Sequence, residues 1–342
     1  MDSLRSPKIW EIASALRLPA GDSPADAVLK YCEDRIDKVL EDFPDCANPA
    51  ELLDTMAAML ETRFEEIRSD EELLALQERY CRAGEFGFAA LHKDLDGEAF
   101  GVTYRRLAAA PGERAFVSVI DCRGNKALRS YFTKWHELGH LLILTDQQRL
   151  SFRRTHSPGT RKDPEESLVD AIAGQAGFLP SFLRPEIQPL VSFEEVERVR
   201  ARLFPEASFQ ASANAYTKHH TEPCLLLEAK LALKTGERAQ LSQGSFDFIE
   251  LPNPKLRVQS VVSSDGAKPR GLYIPKNFRV PENSIIHEVF VDGRDHALAH
   301  ECLSLWAASG GKRLQVMPIR VEVRQHFESV LALISAAGSA QQ

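Results

Sequence analysis

Residues 130–140 read SYFTKWHELGH and contain the pattern His-Glu-x-x-His at His136, Glu137 and His140. Side chains four residues apart lie on the same face of a helix, so the two imidazoles can bind one zinc ion. Glu137 is not a ligand in this pattern, but it lies where it can accept a proton from water as a general base. The stretch therefore predicts a helical metal site with hydrolytic chemistry.

The residues around this pattern are strongly apolar. Phe132, Trp135 and Leu138 lie within the stretch, and residues 141–144 read LLIL. The alternative interpretation is an exposed face of an amphipathic helix that happens to carry histidine and glutamate. Imidazoles without partners are costly in an apolar environment, which favours the metal site over this alternative.

A zinc site of this kind needs a third protein ligand, and residues 163–170, DPEESLVD, offer candidates. If this segment is helical, Glu166 and Asp170 share a face, so Glu166 can bind the metal while Asp170 orients a ligand histidine. Glu165, one position away, is the alternative ligand. The same segment is also a capping box, with Asp163 as N-cap and Glu166 at N3. The local pattern leaves the ligand and the cap interpretations open.

The HELGH motif, a gap of about 26 residues, the Glu166-x-x-x-Asp170 pattern and the pair Leu179-Pro180 together resemble the ImmA/IrrE family of metallopeptidases. Asp170 falls where the family usually has asparagine. The resemblance implies a zincin-like fold, in which His136, His140 and Glu166 bind Zn²⁺. It leaves open whether the metal in the cell is zinc or manganese.

The resemblance also implies a biological role. Family members are typically bacterial regulatory proteases that cleave or inactivate a helix-turn-helix transcriptional repressor in stress, mobile-element or DNA-damage responses. The partner we expect is therefore such a repressor. The alternatives are a non-catalytic regulator that binds protein or DNA, and a metal-dependent hydrolase of another amide whose C-terminal domain binds a small ligand.

The patterning, together with what the resemblance implies, predicts an α+β chain in three segments. They are a helical N-terminal extension (1–85), a zincin-like domain (86–235) that contains a helix-turn-helix-like segment at about 190–222, and an α/β domain (258–336). The last segment resembles the GAF-like sensor domain of the radiation-response members of the family. Basic residues are sparse in the helix-turn-helix-like segment, so we interpret it as a scaffold rather than a DNA reader.

Local patterns predict the secondary structure within these segments. Strands are expected at residues 99–107 and 114–122, and they could offer an edge to an extended substrate. Helix is expected over most of residues 130–233. In the last segment we expect strands at 258–263, 270–274, 284–291 and 313–323, and helices at 296–309 and 326–336. His296 and His300 are interpreted as a pair on a helix surface. Tyr131 and His156 are candidates for stabilising an oxyanion.

Composition and charge exclude several classes of protein. The chain has 342 residues, of which 44% are hydrophobic, and a formal net charge of −7. These values exclude wholesale disorder and argue against DNA binding that depends mainly on bulk charge. The sequence shows no signal peptide and no run of 18 apolar residues, so we expect a cytoplasmic protein without a membrane span. The 6 cysteines show no CxxC spacing, which argues against a thiolate zinc site.

Overall fold

The structure is a computed structural model. It describes residues 6–19, 21–97, 99–144, 151–155, 163–234, 236–237, 253–307, 311 and 313–337. The chain is α+β, as the sequence predicts. It divides into two compact units, which consist of Met1–Phe182 with Arg200–Ser208 and of Leu183–Val199 with Phe209–Gln342.

The first unit contains most of the helices. They are α1 (Pro7–Ala15), α2 (Pro24–Asp42), α3 (Pro49–Met59), α4 (Asp70–Arg82), α5 (Leu91–Asp94), α6 (Ser130–Leu142), α7 (Pro164–Ala176) and α8 (Pro180–Leu183). Short 3₁₀ helices lie at Phe86–Ala90 and Gly124–Arg129. The strands are β1 (Thr62–Ile67), β2 (Ala99–Arg105), β3 (Phe116–Asp121) and β4 (Ser151–Thr155).

The four strands form one sheet in the order β1-β3-β2-β4. β1 is parallel to β3, whereas β2 is antiparallel to both of its neighbours. The sheet corrects one prediction. β2 and β3 were expected to offer an edge to a substrate, but each is hydrogen-bonded on both sides, so the edges of this sheet in the described chain are β1 and β4.

Helix α6 is the central element of this unit. It is buried along nearly its whole length because it packs against β2, β3 and β4 on one side and α7 on the other. Trp135 and Leu138 are almost completely buried. Gly139 permits the close approach of α7, since a Cβ at this position would lie 3.0 Å from Cγ1 of Val169. Gly177, at the end of α7, has a similar effect, since a Cβ there would lie 2.9 Å from the Trp135 ring. Both glycines thus allow α6 and α7 to pack closely.

The second unit is built on a five-stranded antiparallel sheet in the order β6-β5-β9-β8-β7. Its strands are β5 (Cys224–Ala232), β6 (Lys255–Ser263), β7 (His296–Cys302), β8 (Pro318–His326) and β9 (Ser329–Ala336). Three helices accompany this sheet, namely α9 (Phe193–Leu203), α10 (Phe209–His219) and α11 (Ile285–Asp292), with 3₁₀ helices at Arg184–Glu186 and Leu303–Leu305. The last residues of α9 belong to the first unit. Its core is aliphatic and closes around the buried Trp306.

Several predictions of secondary structure are wrong. Residues 62–67 were expected in helix but form a strand, as do residues 151–155, 224–232, 296–302 and 329–336, whereas residues 284–291 were expected in a strand but contain α11. Residues 270–274 form no strand. Short apolar runs do not distinguish a buried strand from a buried helix by periodicity. The end signals of α11 were present in the sequence, because Ser284 caps it and Gly293 follows it with φ of 66°.

The sheets cross the boundaries predicted for the segments. β1 lies in the segment predicted as an N-terminal extension but pairs with β3, and β5 lies before residue 235 but pairs with β9.

None of the described helices has the length and apolar character needed to span a lipid bilayer.

Gly139 provides a test of the contact between α6 and α7. Gly139→Val is expected to lower the free energy of unfolding by about 1–3 kcal/mol, because the added side chain overlaps Val169 in a packed core. Gly174→Ala in α7 is the matched control. A Cβ there meets nothing within 4 Å, so the change should stabilise the helix by up to about 1 kcal/mol. Urea denaturation measures both effects, and equal stability of Gly139→Val and wild type would contradict the proposed close contact.

Candidate metal centre

Two helices bring the predicted ligands together. His136 and His140 lie one turn apart on α6, and their ring centroids are 4.9 Å apart. Glu166 lies in the first turn of α7, with Oε2 3.2 Å from Nε2 of His136 and Oε1 3.2 Å from Nε2 of His140. The three side chains offer ligand atoms that all lie within 4.8 Å of one another. In the part of the chain that the structure describes, no other group of three such residues converges in this way.

The donor set fits a zinc ion in chemistry and in spacing. Ligand atoms at about 2.0–2.2 Å from a tetrahedrally bound zinc ion lie about 3.3–3.6 Å from one another, close to the separations between Glu166 and the two Nε2 atoms. Two imidazoles and one carboxylate form a common catalytic zinc set, which leaves a fourth position open. Both histidines are at most 1% exposed, so the site is shielded from bulk water.

A carboxylate also lies behind each imidazole. Oδ1 of Asp170 is 2.9 Å from Nδ1 of His136, and Oε1 of Glu165 is 3.4 Å from Nδ1 of His140. A carboxylate at Nδ1 favours the tautomer with the proton on Nδ1, which turns the lone pair of Nε2 toward Glu166. Glu165, the alternative ligand of the sequence analysis, therefore lies on the far side of the His140 ring from Glu166. Nζ of Lys8 lies 3.0 Å from Oε2, the second carboxylate oxygen of Glu165.

The capping interpretation of α7 is compatible with the ligand interpretation. Asp163 is the N-cap, and its side chain accepts a hydrogen bond from the backbone N–H of Glu165 at 2.8 Å. The carboxylate of Glu166 contacts the two imidazoles of α6. The first turn of α7 therefore provides both a helix cap and a candidate ligand from neighbouring positions.

These contacts have clear electrostatic consequences. Burial opposes the charged form of His140, but the nearby carboxylates of Glu165 and Glu166 outweigh it and raise its pKa to about 9. Burial alone would also raise the pKa of Glu166, but the close imidazoles of His136 and His140 hold it well below its usual range. The pocket thus strongly favours positive charge at the Nε2 atoms, where a metal cation would bind.

Glu137 lies beside the ligands and is completely buried. Its Oε2 accepts a hydrogen bond from Oγ1 of Thr103 at 2.7 Å, while its Oε1 is buried with no hydrogen-bond partner among the described residues. Burial raises the pKa of this carboxyl group, against the opposing effects of the two histidines and Thr103. Oε2 is thus held by Thr103, and Oε1 is available to accept a proton.

A chain of buried hydroxyl groups extends from Glu137 into the sheet. Oγ1 of Thr103 lies 2.7 Å from Oγ of Ser118, which lies 3.1 Å from Oγ1 of Thr62. Gly101 leaves space beside the carboxylate, since a Cβ there would lie 3.0 Å from Oε1 of Glu137. The sequence analysis missed these residues. The available signal was a polar residue inside each of two strands that are otherwise strongly apolar.

The remaining predicted site residues lie elsewhere or outside the described residues. Tyr131 was a candidate for an oxyanion donor, but its buried hydroxyl donates to the carbonyl of Gly177 at 2.5 Å. His156 lies outside the described residues. His296 and His300 lie on strand β7 rather than on a helix, where residues four apart are about 13 Å distant and cannot share an ion.

Comparison with known proteins does not identify the chain. No protein-family model matches it, and no curated protein does. Among solved structures, a Mycobacterium tuberculosis transcriptional regulator is similar over 79% of this chain and 76% of that chain, with a TM-score of 0.36 and 11% sequence identity. A likeness at this level carries no argument about function.

Asp170 offers a test of how the site holds its ligands. Asp170→Ala is expected to lower zinc affinity about 10–100-fold, because His136 loses the acceptor that orients its ring. Asp170→Asn should retain most of the affinity, since its amide oxygen can accept the same hydrogen bond. Competition with a chromogenic chelator measures both, with the exposed Asp54→Ala as control. Wild-type affinity in Asp170→Ala would argue against this role.

Proposed function

We propose that this chain is a zinc-dependent metallopeptidase of the ImmA/IrrE type. The observation that carries the proposal is the convergence of His136, His140 and Glu166 beside the buried, half-satisfied carboxylate of Glu137. A purely structural ion-pair cluster has no need for Glu137. A hydrolytic site needs a base in this position.

His136, His140 and Glu166 would hold the zinc ion. When bound, zinc supplies Lewis-acid polarisation of the scissile carbonyl and lowers the pKa of water at the site. Oε1 of Glu137 accepts the proton of the attacking water, while Thr103 keeps Oε2 in place. Glu137 then returns this proton to the leaving amine nitrogen, so the carboxylate is regenerated.

The sheet of the first unit provides a place for an extended substrate. β2 carries Thr103, the hydrogen-bond partner of Glu137, and β4 is the edge strand next to β2. An edge strand can bind a peptide through backbone hydrogen bonds. We therefore assign substrate pairing to β4 rather than to β2 or β3, within a zincin-like domain.

The biological role that we propose rests on the resemblance of the sequence motifs. It is the cleavage or inactivation of a helix-turn-helix transcriptional repressor in the bacterial cytoplasm, as part of a stress or DNA-damage response. The second unit would then be a GAF-like sensor. A non-catalytic regulator would not require Glu137, which is why we prefer the peptidase.

Glu137→Gln tests this function because it keeps the shape of the side chain and removes its basicity. The variant should bind zinc as wild type does but lose peptide cleavage by at least about 10²–10⁴-fold. Bacterial lysates treated with each protein are compared by mass spectrometry of newly formed protein N-termini. New termini in a helix-turn-helix repressor should appear with wild type and disappear with Glu137→Gln.

Glu194→Gln, which changes an exposed glutamate on α9, serves as the control and should cleave like wild type. Identical sets of termini with wild type and Glu137→Gln, in proteins that carry equal amounts of zinc, would contradict the proposed role of Glu137. An absence of stoichiometric metal in wild type would contradict the peptidase itself.

A further inference from the structure

The second unit contains a cavity of about 870 Å³, far along the chain from the metal-centre residues. It lies between the start of β6 and the segment at residues 277–283, which runs beside that strand. Cavities of this size are typical of small-molecule sites. Basic side chains are prominent in its lining, namely those of Lys234, Lys255, Arg257 and Arg279.

Arg257 is the unusual member of this group. It is only 6% exposed, yet none of the described carboxylates pairs with it. One guanidinium nitrogen, Nη1, donates to the backbone carbonyl of Asn277 at 3.1 Å, and Nε is buried with no hydrogen-bond partner among the described residues. A guanidinium group stays charged at any physiological pH and cannot avoid the cost of burial by losing its proton. Within the described part of the chain, this guanidinium group therefore has no counter-charge.

The backbone around Arg257 is firmly held. Val258 donates to the carbonyl of Phe278 at 3.0 Å and accepts from the N–H of Asn277 at 2.8 Å, while Val280 donates to the carbonyl of Leu256 at 2.9 Å. These bonds fix residues 277–280 against the outer side of β6. Because Nη1 of Arg257 donates to the carbonyl of Asn277 in this segment, the guanidinium group is held in place before a ligand binds, which lowers the cost of binding.

The charges of the lining favour an anion. Among the described lining residues, the four basic ones are accompanied by two acidic ones, Glu237 and Glu282. Glu282 forms an ion pair with Arg279, and Glu237 accepts a hydrogen bond from the backbone N–H of Lys234. No described acid pairs with Lys234 or Lys255. The excess positive charge faces a cavity that contains a buried guanidinium group.

We propose that this cavity binds a small molecule that carries an oxyanion, either a phosphate or a carboxylate, with Arg257 as its anchor. An oxyanion supplies the counter-charge and accepts the N–H groups that Arg257 leaves unused, in the planar geometry that guanidinium groups favour. Lys255 also lines the cavity, is exposed, and adds a second positive charge. The proposal does not depend on peptidase activity.

Isothermal titration calorimetry on the full chain tests this site with three matched probes at constant ionic strength. Phenyl phosphate and benzoate carry the two oxyanions, and phenol carries neither. We expect saturable binding of at least one anion and none of phenol; the anion that binds more tightly identifies the chemistry. Arg257→Gln should weaken that binding at least tenfold, Lys255→Gln should weaken it several-fold, and the exposed Lys268→Gln should leave it unchanged.

Three results would overturn the proposal: neither anion saturates, phenol binds as tightly as the anions, or folded Arg257→Gln binds like wild type. Circular dichroism establishes whether Arg257→Gln is folded. If it is not, Lys255 decides the question, because this residue is exposed and its substitution should not disturb the core. Equal affinities of Lys255→Gln and Lys268→Gln would then reject the site.

Discussion

The contact between α6 and α7 places carboxylates on both sides of two buried imidazoles. His136 lies between Glu166 and Asp170, and His140 lies between Glu166 and Glu165. Charged and polar groups are tolerated in a protein interior only when they have partners, so these five side chains depend on one another. The rest of the first unit serves this arrangement, because the sheet supports α6 from the other side and the glycines allow the helices to approach.

The position of α6 also accounts for the surroundings of Glu137, the residue that we propose as the base. Glu137 follows His136 on the helix, so its side chain turns from α7 toward the sheet, where Thr103 holds one of its oxygens. The hydroxyl groups of Ser118 and Thr62 continue this polar path in a region that is otherwise apolar. Because each hydroxyl can donate to the next, the path can be aligned toward the carboxylate and stabilise its charge.

Sequence reasoning was effective where the interactions are local. The spacing of His136 and His140 predicted the helix and its common face, and the spacing of Glu166 and Asp170 predicted how the second helix contributes. It failed where distant strands decide the structure. Thr103 and Ser118 meet only when β2 and β3 pair, and the apolar run at Ser329–Ala336 becomes a strand because β5 and β8 lie on its two sides. In both units, the structure that local pattern did not predict is therefore the structure that depends on strand pairing.

The central claim is that His136, His140 and Glu166 hold a metal ion. X-ray absorption spectroscopy at the zinc edge, combined with elemental analysis of the purified chain, tests it directly. The account predicts one zinc ion per chain with nitrogen and oxygen ligands at about 2.0–2.2 Å, multiple scattering from two imidazoles, and no sulfur at about 2.3 Å. A chain that binds no stoichiometric metal, or binds it through cysteine sulfur, would contradict the account.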